Sequence, residues 1–307
     1  LRKQHASEGN LIIGLSQKKD AHQFNLKVGR VKTSDDTAMI NDSTELIIFD
    51  TDPGIDDAWA LLMLLKAEKV RNIKVLAITL VHGNTTVDYA VDNCLRTLKC
   101  IDRTDVPIYK GARESLIPQC TKLAQFFGTD GFGDMTYDNK PEQCLIQKEH
   151  AVTAMERLYP GRITFICVGP LTNMALAIKM YPDFSNKIKA LYLMGGNYNE
   201  RIYFIEKYDV PHEWRIDELG TIQNKITKLL NEPEIKIFQG HKCNIWNPCD
   251  AILIAIFLKP DEIIEKSKYC YATVELAGTF TRGQVAIDHL NKQKKNITIV
   301  EKVDVEK

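Results

Sequence analysis

The fold is decided by one stretch of sequence, Leu46-Ile-Ile-Phe-Asp50-Thr-Asp52-Pro-Gly54-Ile-Asp56-Asp57-Ala-Trp-Ala-Leu-Leu62. Its first four residues are apolar and predict a strand, and its last six are almost wholly apolar and predict a helix. A strand that is apolar on both faces is typical of a parallel sheet covered by helices on both sides. The stretch therefore predicts an α/β fold.

The same alternation continues along the chain. Short β-branched runs predict strands at Leu46–Phe49, Ile73–Val81, Ile163–Cys167, Ala190–Met194 and Ile235–Phe238. Longer stretches between them predict helices at Asp57–Lys66, Val87–Leu98, Ala151–Leu158, Leu171–Lys179 and Asp217–Leu230. This order favours an open, mostly parallel central sheet flanked by helices. We expect a flexible polar tail over residues 1–44 and a single domain over residues 45–307.

Composition excludes several classes of partner. With 307 residues, 44% of them hydrophobic, the chain is long enough for a full core. Its 40 basic and 40 acidic residues give no net charge, which removes the electrostatic basis for binding nucleic acid. No apolar run approaches the roughly 20 residues that cross a bilayer, so no membrane partner is expected. The eight cysteines are spread along the chain and several lie in apolar segments, which favours buried reduced thiols and a cytoplasmic location. No Cys-x-x-Cys pair supports a structural zinc site.

Four carboxylates follow the first strand: Asp50, Asp52, Asp56 and Asp57. Ligands of open α/β sheets bind beyond the carboxyl ends of the strands, which is where these side chains fall. Four acids held so close repel one another unless a positive charge lies among them, and a hard divalent cation supplies it best. A plainer interpretation makes them helix-capping and solvated turn residues. That would suit one or two acids, and the pattern therefore favours a metal site.

A strand that ends in Asp-x-Asp also resembles the magnesium-dependent phosphatases of the haloacid dehalogenase class. In that class Gly-Thr follows the second Asp, whereas Pro53-Gly54-Ile55 follows here. Phosphoryl transfer is therefore the weaker enzymatic interpretation.

The sequence resembles the inosine-uridine-preferring nucleoside hydrolase family, whose signature Asp-x-Asp-Pro-Gly-x-Asp-Asp-Ala it matches throughout. Ordered matches to the family extend over most of the chain, at Asp50–Ala58, Val81–Thr86, Val106–Ala112, Gly128–Asp134, Val168–Asn173, Leu193–Gly196 and Val274–Gly283. Seven matches in the family's order are a specific signal, unlike a single glycine motif.

This resemblance implies a calcium-dependent enzyme of purine or pyrimidine salvage that hydrolyses the N-glycosidic bond of ribonucleosides to free base and ribose. It implies that Asp52, Asp57, the backbone carbonyl of Val168 and Asp250 bind one Ca²⁺. Asp52 would also act as the general base toward a water molecule on the ion. The resemblance further implies a homo-oligomer, either a dimer or a tetramer.

Four further positions take roles from the same resemblance. Asp56 and Asn84 would hold the ribose hydroxyls, and Asp50 would support the ligands from behind. Cys249 stands where the best-known members carry a histidine that assists protonation of the leaving group. Some members resemble this chain in having cysteine there, so Cys249 is a candidate catalytic residue.

The sequence departs from the family pattern after Leu193-Met-Gly-Gly196. The family continues with a segment containing Ala-Glu-Phe-Asn, whose Glu and Asn grip the ribose, and this tetrapeptide does not occur here. The interval from Met194 to Asp250 is also short, which indicates an internal deletion and a divergent segment over residues 197–248. Two functions therefore stay open: the hydrolase, and a catalytically impaired relative that binds calcium or ribose as a binding or interaction protein.

Overall fold

The computed structural model describes residues 43–117, 125–137, 141–158, 161–196, 210–241, 245–278 and 281–304. Its strands are β1 Glu45–Thr51, β2 Ile73–Leu80, β3 Ile108–Lys110, β4 Ile146–Gln147, β5 Ile163–Cys167, β6 Ile188–Leu193, β7 Val210–Pro211, β8 Ile245–Trp246, β9 Ile264–Cys270, β10 Ala272–Val274, β11 Val285–Ile287 and β12 Ile297–Val303. Its α-helices are α1 Ile55–Ala67, α2 Val87–Cys100, α3 Ala151–Arg157, α4 Thr172–Met180, α5 Lys225–His241, α6 Cys249–Leu258 and α7 Pro260–Ile263.

The first six strands form one sheet in the order β4-β3-β2-β1-β5-β6, and every pairing in it is parallel. The chain leaves β1 toward β2 on one side and later returns to place β5 on the other side. This reversal of strand order opens a crevice at the carboxyl end of β1, where α/β proteins bind their ligands. The predicted open parallel sheet is confirmed, and three antiparallel two-stranded pairs are added to it.

Strand β1 is buried on both faces because helices cover both sides of the sheet. Ile47 and Phe49 pack with residues of α1, α2 and α6, whereas Leu46 and Ile48 pack with residues of α3 and α4. All four side chains are fully buried. The three-layer architecture thus explains why residues 46–49 are all apolar.

Helix α1 is also buried on more than one side. One side packs on the sheet and α6, while Ile55, Ala58 and Leu62 form a second cluster that includes Leu230 and Ile237 of α5. This double packing explains why the helix carries an almost wholly apolar sequence. It also fixes the start of α1, with Asp56 and Asp57 in the first turn, against the rest of the molecule.

Two predictions in the divergent segment are wrong. Ile235–Phe238 is not a strand but part of α5, since a short apolar run does not distinguish a strand from a buried stretch of helix. The helix predicted at Asp217–Leu230 begins only at Lys225, because π-helical and 3₁₀ turns occupy residues 214–221. The other predicted strands and helices form with bounds shifted by at most two residues.

Parts of the predicted organisation stay predictions. Residues 1–42 of the expected tail lie outside the described residues, as do residues 197–209 and 242–244 of the divergent segment. The single domain over residues 45–307 is likewise untested. Among the helices of the described part of the chain, none has both the length and the apolar character needed to cross a bilayer.

Candidate active site

Carboxylates from two distant parts of the sequence meet at the carboxyl end of β1. Asp52 follows the last residue of β1, and Asp56 and Asp57 lie in the first turn of α1. Asp250 lies in the first turn of α6, which packs beside α1. One carboxylate oxygen from each of Asp56, Asp57 and Asp250 can be chosen so that the three atoms lie within 4.8 Å of one another.

Asp52, Asp56 and Asp250 line a cavity of about 490 Å³, whereas the buried Asp57 is not among its lining residues. Five of the residues singled out from the sequence line it, namely Asp52, Asp56, Asn84, Val168 and Asp250. The loop that follows β6 adds Met194, Gly195 and Gly196. The C-terminal strands complete the lining with Ala272, Thr273, Val274, Val285 and Ile297. Sequence reasoning did not single these residues out for the site, because they are ordinary strand residues that reach it only through the tertiary fold.

Asp57 is held by four hydrogen bonds. Its Oδ2 accepts from the Gly54 backbone N–H at 2.9 Å and from Asn84 Nδ2 at 3.0 Å. Its Oδ1 accepts from the Thr51 hydroxyl and, at 3.3 Å, from the Asp52 backbone N–H. Such a carboxylate is oriented before any ligand arrives, which lowers the cost of binding one.

Asp52 is confined by the loop that follows β2. Its Oδ2 accepts from the Asn84 backbone N–H at 2.7 Å, so Asn84 contacts both Asp52 and Asp57. A Cβ atom at Gly83 would stand 1.9 Å from Asp52 Oδ2, and one at Gly169 would stand 2.7 Å from Oδ1. Glycine at these two positions therefore allows the backbone to approach the carboxylate closely.

Asp50 lies behind the site and is fully buried. Its Oδ1 accepts from the Thr79 hydroxyl at 2.6 Å and from Asn173 Nδ2 at 2.8 Å. Burial raises the pKa of Asp50 to about 7, although these two hydrogen bonds oppose the shift. Asn173 also bonds the backbone of Leu80 and Ala112, so Asp50 belongs to a network that ties β1, β2 and α4 together.

The electrostatics of the carboxylate group favour binding of a cation. Burial raises the pKa of Asp52, Asp56 and Asp250, and repulsion from neighbouring carboxylates raises it further in each case. Among the described residues, no Lys, Arg or His forms an ion pair with these three or with Asp57. Asp250 Oδ1 is buried and has no hydrogen-bond partner within the described chain. An oxygen-only set with an unsatisfied buried carboxylate fits a hard divalent cation such as Ca²⁺.

Two candidate residues lie differently from the sequence expectation. Asp56, expected at the ribose, joins Asp57 and Asp250 in the carboxylate group while also lining the cavity. Cys249 is half-buried at the first position of α6, and the described lining residues include Asp250 but not Cys249. The roles of both residues stay predictions.

The chain was compared with known proteins, and its sequence matches one family. The sequence model of the family described as "Inosine-uridine preferring nucleoside hydrolase" matches residues 47–209. "Probable uridine nucleosidase 2" of Arabidopsis thaliana is 36% identical over 154 residues, which are 49% of this chain and 47% of that protein. The chain thus spans about half the length of the plant relatives that it matches.

Two further similarities extend over more of the chain. "Pyrimidine-specific ribonucleoside hydrolase RihA" of Shigella flexneri is 27% identical over 298 residues, covering 84% of this chain and 94% of that protein. The solved structure of "Inosine-Guanosine Nucleoside Hydrolase (IG-NH)" superposes with a TM-score of 0.74 at 24% identity, over 85% of this chain and 95% of that one. At that identity the structural likeness supports the fold alone. The phosphatase interpretation finds no support, and the chain belongs to the inosine-uridine preferring nucleoside hydrolase family.

Proposed function

We propose that the protein hydrolyses the N-glycosidic bond of ribonucleosides to free base and ribose, with Ca²⁺ bound at the carboxylate site. One observation carries the proposal: Asp52, Asp56 and Asp250 line one cavity, Asp57 lies against Asp56 and Asp250, and the described residues include no cation paired with them. Membership of the hydrolase family supports the reaction type.

Asp52, Asp57, Asp250 and the carbonyl of Val168 are the proposed ligands of the ion. When bound, Ca²⁺ supplies positive charge that lowers the pKa of an attacking water and orients the ribose 2′- and 3′-hydroxyls. Asp250 Oδ1 has no hydrogen-bond partner within the described chain, which supports this assignment because a bound cation would interact with that oxygen. Asp50 and its partner Asn173 keep the end of β1 in place beneath these ligands.

Asp52 is the proposed general base. Its carboxylate faces the cavity, and the hydrogen bond from the Asn84 backbone N–H at 2.7 Å fixes its orientation. It takes the proton as the water oxygen attacks the anomeric carbon and the glycosidic bond breaks. Positive charge develops on the sugar during this step, and the surrounding carboxylates stabilise that charge more than they stabilise the neutral substrate.

Asp56 and Asn84 are the proposed contacts to the ribose hydroxyls, because both line the cavity beside Asp52. The departing base needs a proton, and Cys249, adjacent to Asp250, is the proposed source. Curated relatives carry the names of uridine nucleosidases and of a pyrimidine-specific hydrolase, so uridine is the first substrate to test.

The test is release of reducing ribose from uridine and inosine by the full chain, with CaCl₂ and after chelation. We expect turnover that requires calcium and that falls by at least about 10³-fold in Asp52→Asn, since a general base and a ligand are lost together. Asp183→Asn is the matched control, because Asp183 is exposed and lies far from β1 in the sequence. Turnover that survives in Asp52→Asn would refute the assigned base.

A second function is favoured by one observation, the missing Ala-Glu-Phe-Asn segment. Without its ribose contacts the protein could bind calcium or ribose as a binding protein and lack turnover. Calorimetry with CaCl₂ and with ribose separates the two functions. Calcium binding together with no ribose release from any nucleoside would favour the binding protein.

A cytoplasmic location is supported by the thiols. The six cysteines within the described residues are all free, as a reducing compartment requires. Cys120 and Cys243 lie outside those residues. The homo-oligomeric state implied by the family resemblance stays a prediction.

A further inference from the structure

A buried polar cluster lies beside the candidate site and takes no part in the proposed reaction. It consists of Trp59, Arg215, Glu234 and Trp246, and we call it the Glu234 cluster. The Arg215 side chain is fully buried, and Glu234 is only 5% exposed. Arg215 Nη2 lies 2.5 Å from Glu234 Oε2, forming a buried ion pair. Both residues fall in the divergent segment.

Glu234 is the centre of this cluster. Its Oε1 accepts a hydrogen bond from Trp246 Nε1 at 2.9 Å and a longer one from Trp59 Nε1 at 3.3 Å. The two indole rings meet edge to face at 6.1 Å. The Arg215 guanidinium lies 4.8 Å from the Trp59 ring centre and 5.8 Å from that of Trp246. One carboxylate therefore accepts hydrogen bonds from both tryptophans and forms an ion pair with the arginine.

The two tryptophans belong to the two segments that carry the site's carboxylates. Trp59 lies on α1, less than one turn after Asp56 and Asp57. Trp246 ends β8 and comes four positions before Asp250 at the start of α6. Through its two indole hydrogen bonds, Glu234 thus connects the start of α1 to the start of α6. These are the elements whose separation sets the spacing of Asp56, Asp57 and Asp250.

Stability alone does not account for this cluster. Two charges taken out of water cost several kcal/mol of desolvation, and apolar side chains of similar volume stabilise a core about as well. In keeping with that cost, burial raises the pKa of Glu234 and lowers that of Arg215. A carboxylate with directed hydrogen bonds does, however, fix the separation of two elements more precisely than apolar packing.

We infer that Glu234 is a positioning residue that sets the distance between the first turns of α1 and α6, and thereby the affinity of the carboxylate site for calcium. The inference rests on the proposed function, since it presumes a calcium site. Hydrogen-bonding partners of ligand-bearing groups commonly change metal affinity without touching the metal.

The first test removes one indole N–H at a time and keeps an aromatic ring for Arg215. Calcium affinity is measured by calorimetry, with CaCl₂ as the probe, for the full chain and for Trp59→Phe and Trp246→Phe. We expect binding about tenfold weaker in both variants. Trp214→Phe is the matched control: Trp214 contacts Trp246 at 6.0 Å, is 45% exposed and donates no hydrogen bond to Glu234. Its affinity should stay within about twofold of wild type.

The second test uses the tryptophans as reporters. The chain has three tryptophans, and all three lie in or against the Glu234 cluster. Adding CaCl₂ to the wild-type protein should change the tryptophan emission with the dissociation constant that calorimetry gives. Glu234→Gln keeps an oxygen that accepts from the indoles, so it should retain more of the affinity and of the emission change than Glu234→Ala. Thermal unfolding without calcium shows which variants are folded.

Two results would overturn the inference alone. One is equal calcium affinity in wild type, Trp59→Phe and Trp246→Phe, all folded, and the other is calcium binding with unchanged tryptophan emission. Wild-type protein that binds no calcium would overturn both this inference and the calcium site of the proposed function. If the phenylalanine variants do not fold, the comparison of Glu234→Ala with Glu234→Gln and wild type decides, and equal calcium affinity in all three again refutes the inference.

Discussion

Replacing Gly83 with alanine should disable the site although none of the carboxylate residues is substituted. The added Cβ would stand 1.9 Å from Asp52 Oδ2 and 2.6 Å from its Cγ. Because ordinary contacts lie near 3.5 Å, the carboxylate has to move by about 1.5 Å. Pro170 Cδ would lie 2.8 Å from the same Cβ, so the alanine side chain cannot avoid Asp52 by shifting toward Pro170. The 2.7 Å hydrogen bond from the Asn84 backbone to Asp52 is then lost or distorted.

The expected magnitude follows from that displacement. Misplacing a reacting group by about 1 Å costs roughly 10²-fold in rate, which is about 2.7 kcal/mol in the barrier. The overpacking itself costs about 1–3 kcal/mol of stability, which a typical domain survives. Calcium affinity should also fall, because Asp52 is a proposed ligand. The variant should therefore be folded, nearly inactive and weaker in metal binding.

The assay compares kcat and KM for ribose release from uridine, calcium affinity by calorimetry, and the thermal midpoint. Gly240→Ala is the control, since a Cβ there meets no atom within 4 Å and alanine suits its place in α5. The control should match wild type in rate and affinity. If Gly83→Ala keeps its rate and its calcium affinity within about threefold of wild type, Asp52 does not need its observed position. The assignment of Asp52 as base and ligand would then fail.

Three further substitutions test separate parts of the site. Asp250→Asn should raise the thermal midpoint of the metal-free protein, because it removes a buried charge whose Oδ1 has no hydrogen-bond partner in the described chain. It should also abolish the stabilisation by Ca²⁺, which for wild type is about 2.7 kcal/mol at a free Ca²⁺ concentration of 100 times the dissociation constant. A calcium-dependent rise equal to that of wild type would contradict its role as a ligand. Asn173→Ala removes a hydrogen-bond donor to Asp50 and the acceptor of the Ala112 N–H. Urea unfolding should therefore show a free energy of unfolding lower by about 3 kcal/mol, and a decrease below about 1 kcal/mol would count against the network. Cys249→Ser should lower kcat by about 10²-fold and leave calcium affinity unchanged, and an unaltered kcat would remove Cys249 as the proton source.

The fold was largely predictable because its signals are local. Four predicted strands and four predicted helices form close to their expected bounds, since apolar runs and their periods reflect which faces the sheet and helices bury. Strands β3 and β4 of the sheet were not predicted, being only three and two residues long, and the strands of the three antiparallel pairs, including the seven-residue β9 and β12, were missed as well. The error at Ile235–Phe238 has a clear reason: Ile237 contributes to a helical face against α1, and four residues are too few to reveal that period.

The strand, turn and helix that carry Asp50, Asp52, Asp56 and Asp57 were predictable from the sequence alone, because residues this close along the chain are placed by backbone geometry and burial. The family resemblance had implied that Asp250 joins them, and the packing of α6 beside α1 brings it there. The hydrogen bonds from Trp59 and Trp246 to Glu234, and the closure of the cavity by β10, β11 and β12, are seen only in the tertiary structure. Those contacts join elements far apart in the chain. They depend on how α1, α5 and α6 pack together, and no local pattern of residues encodes that packing.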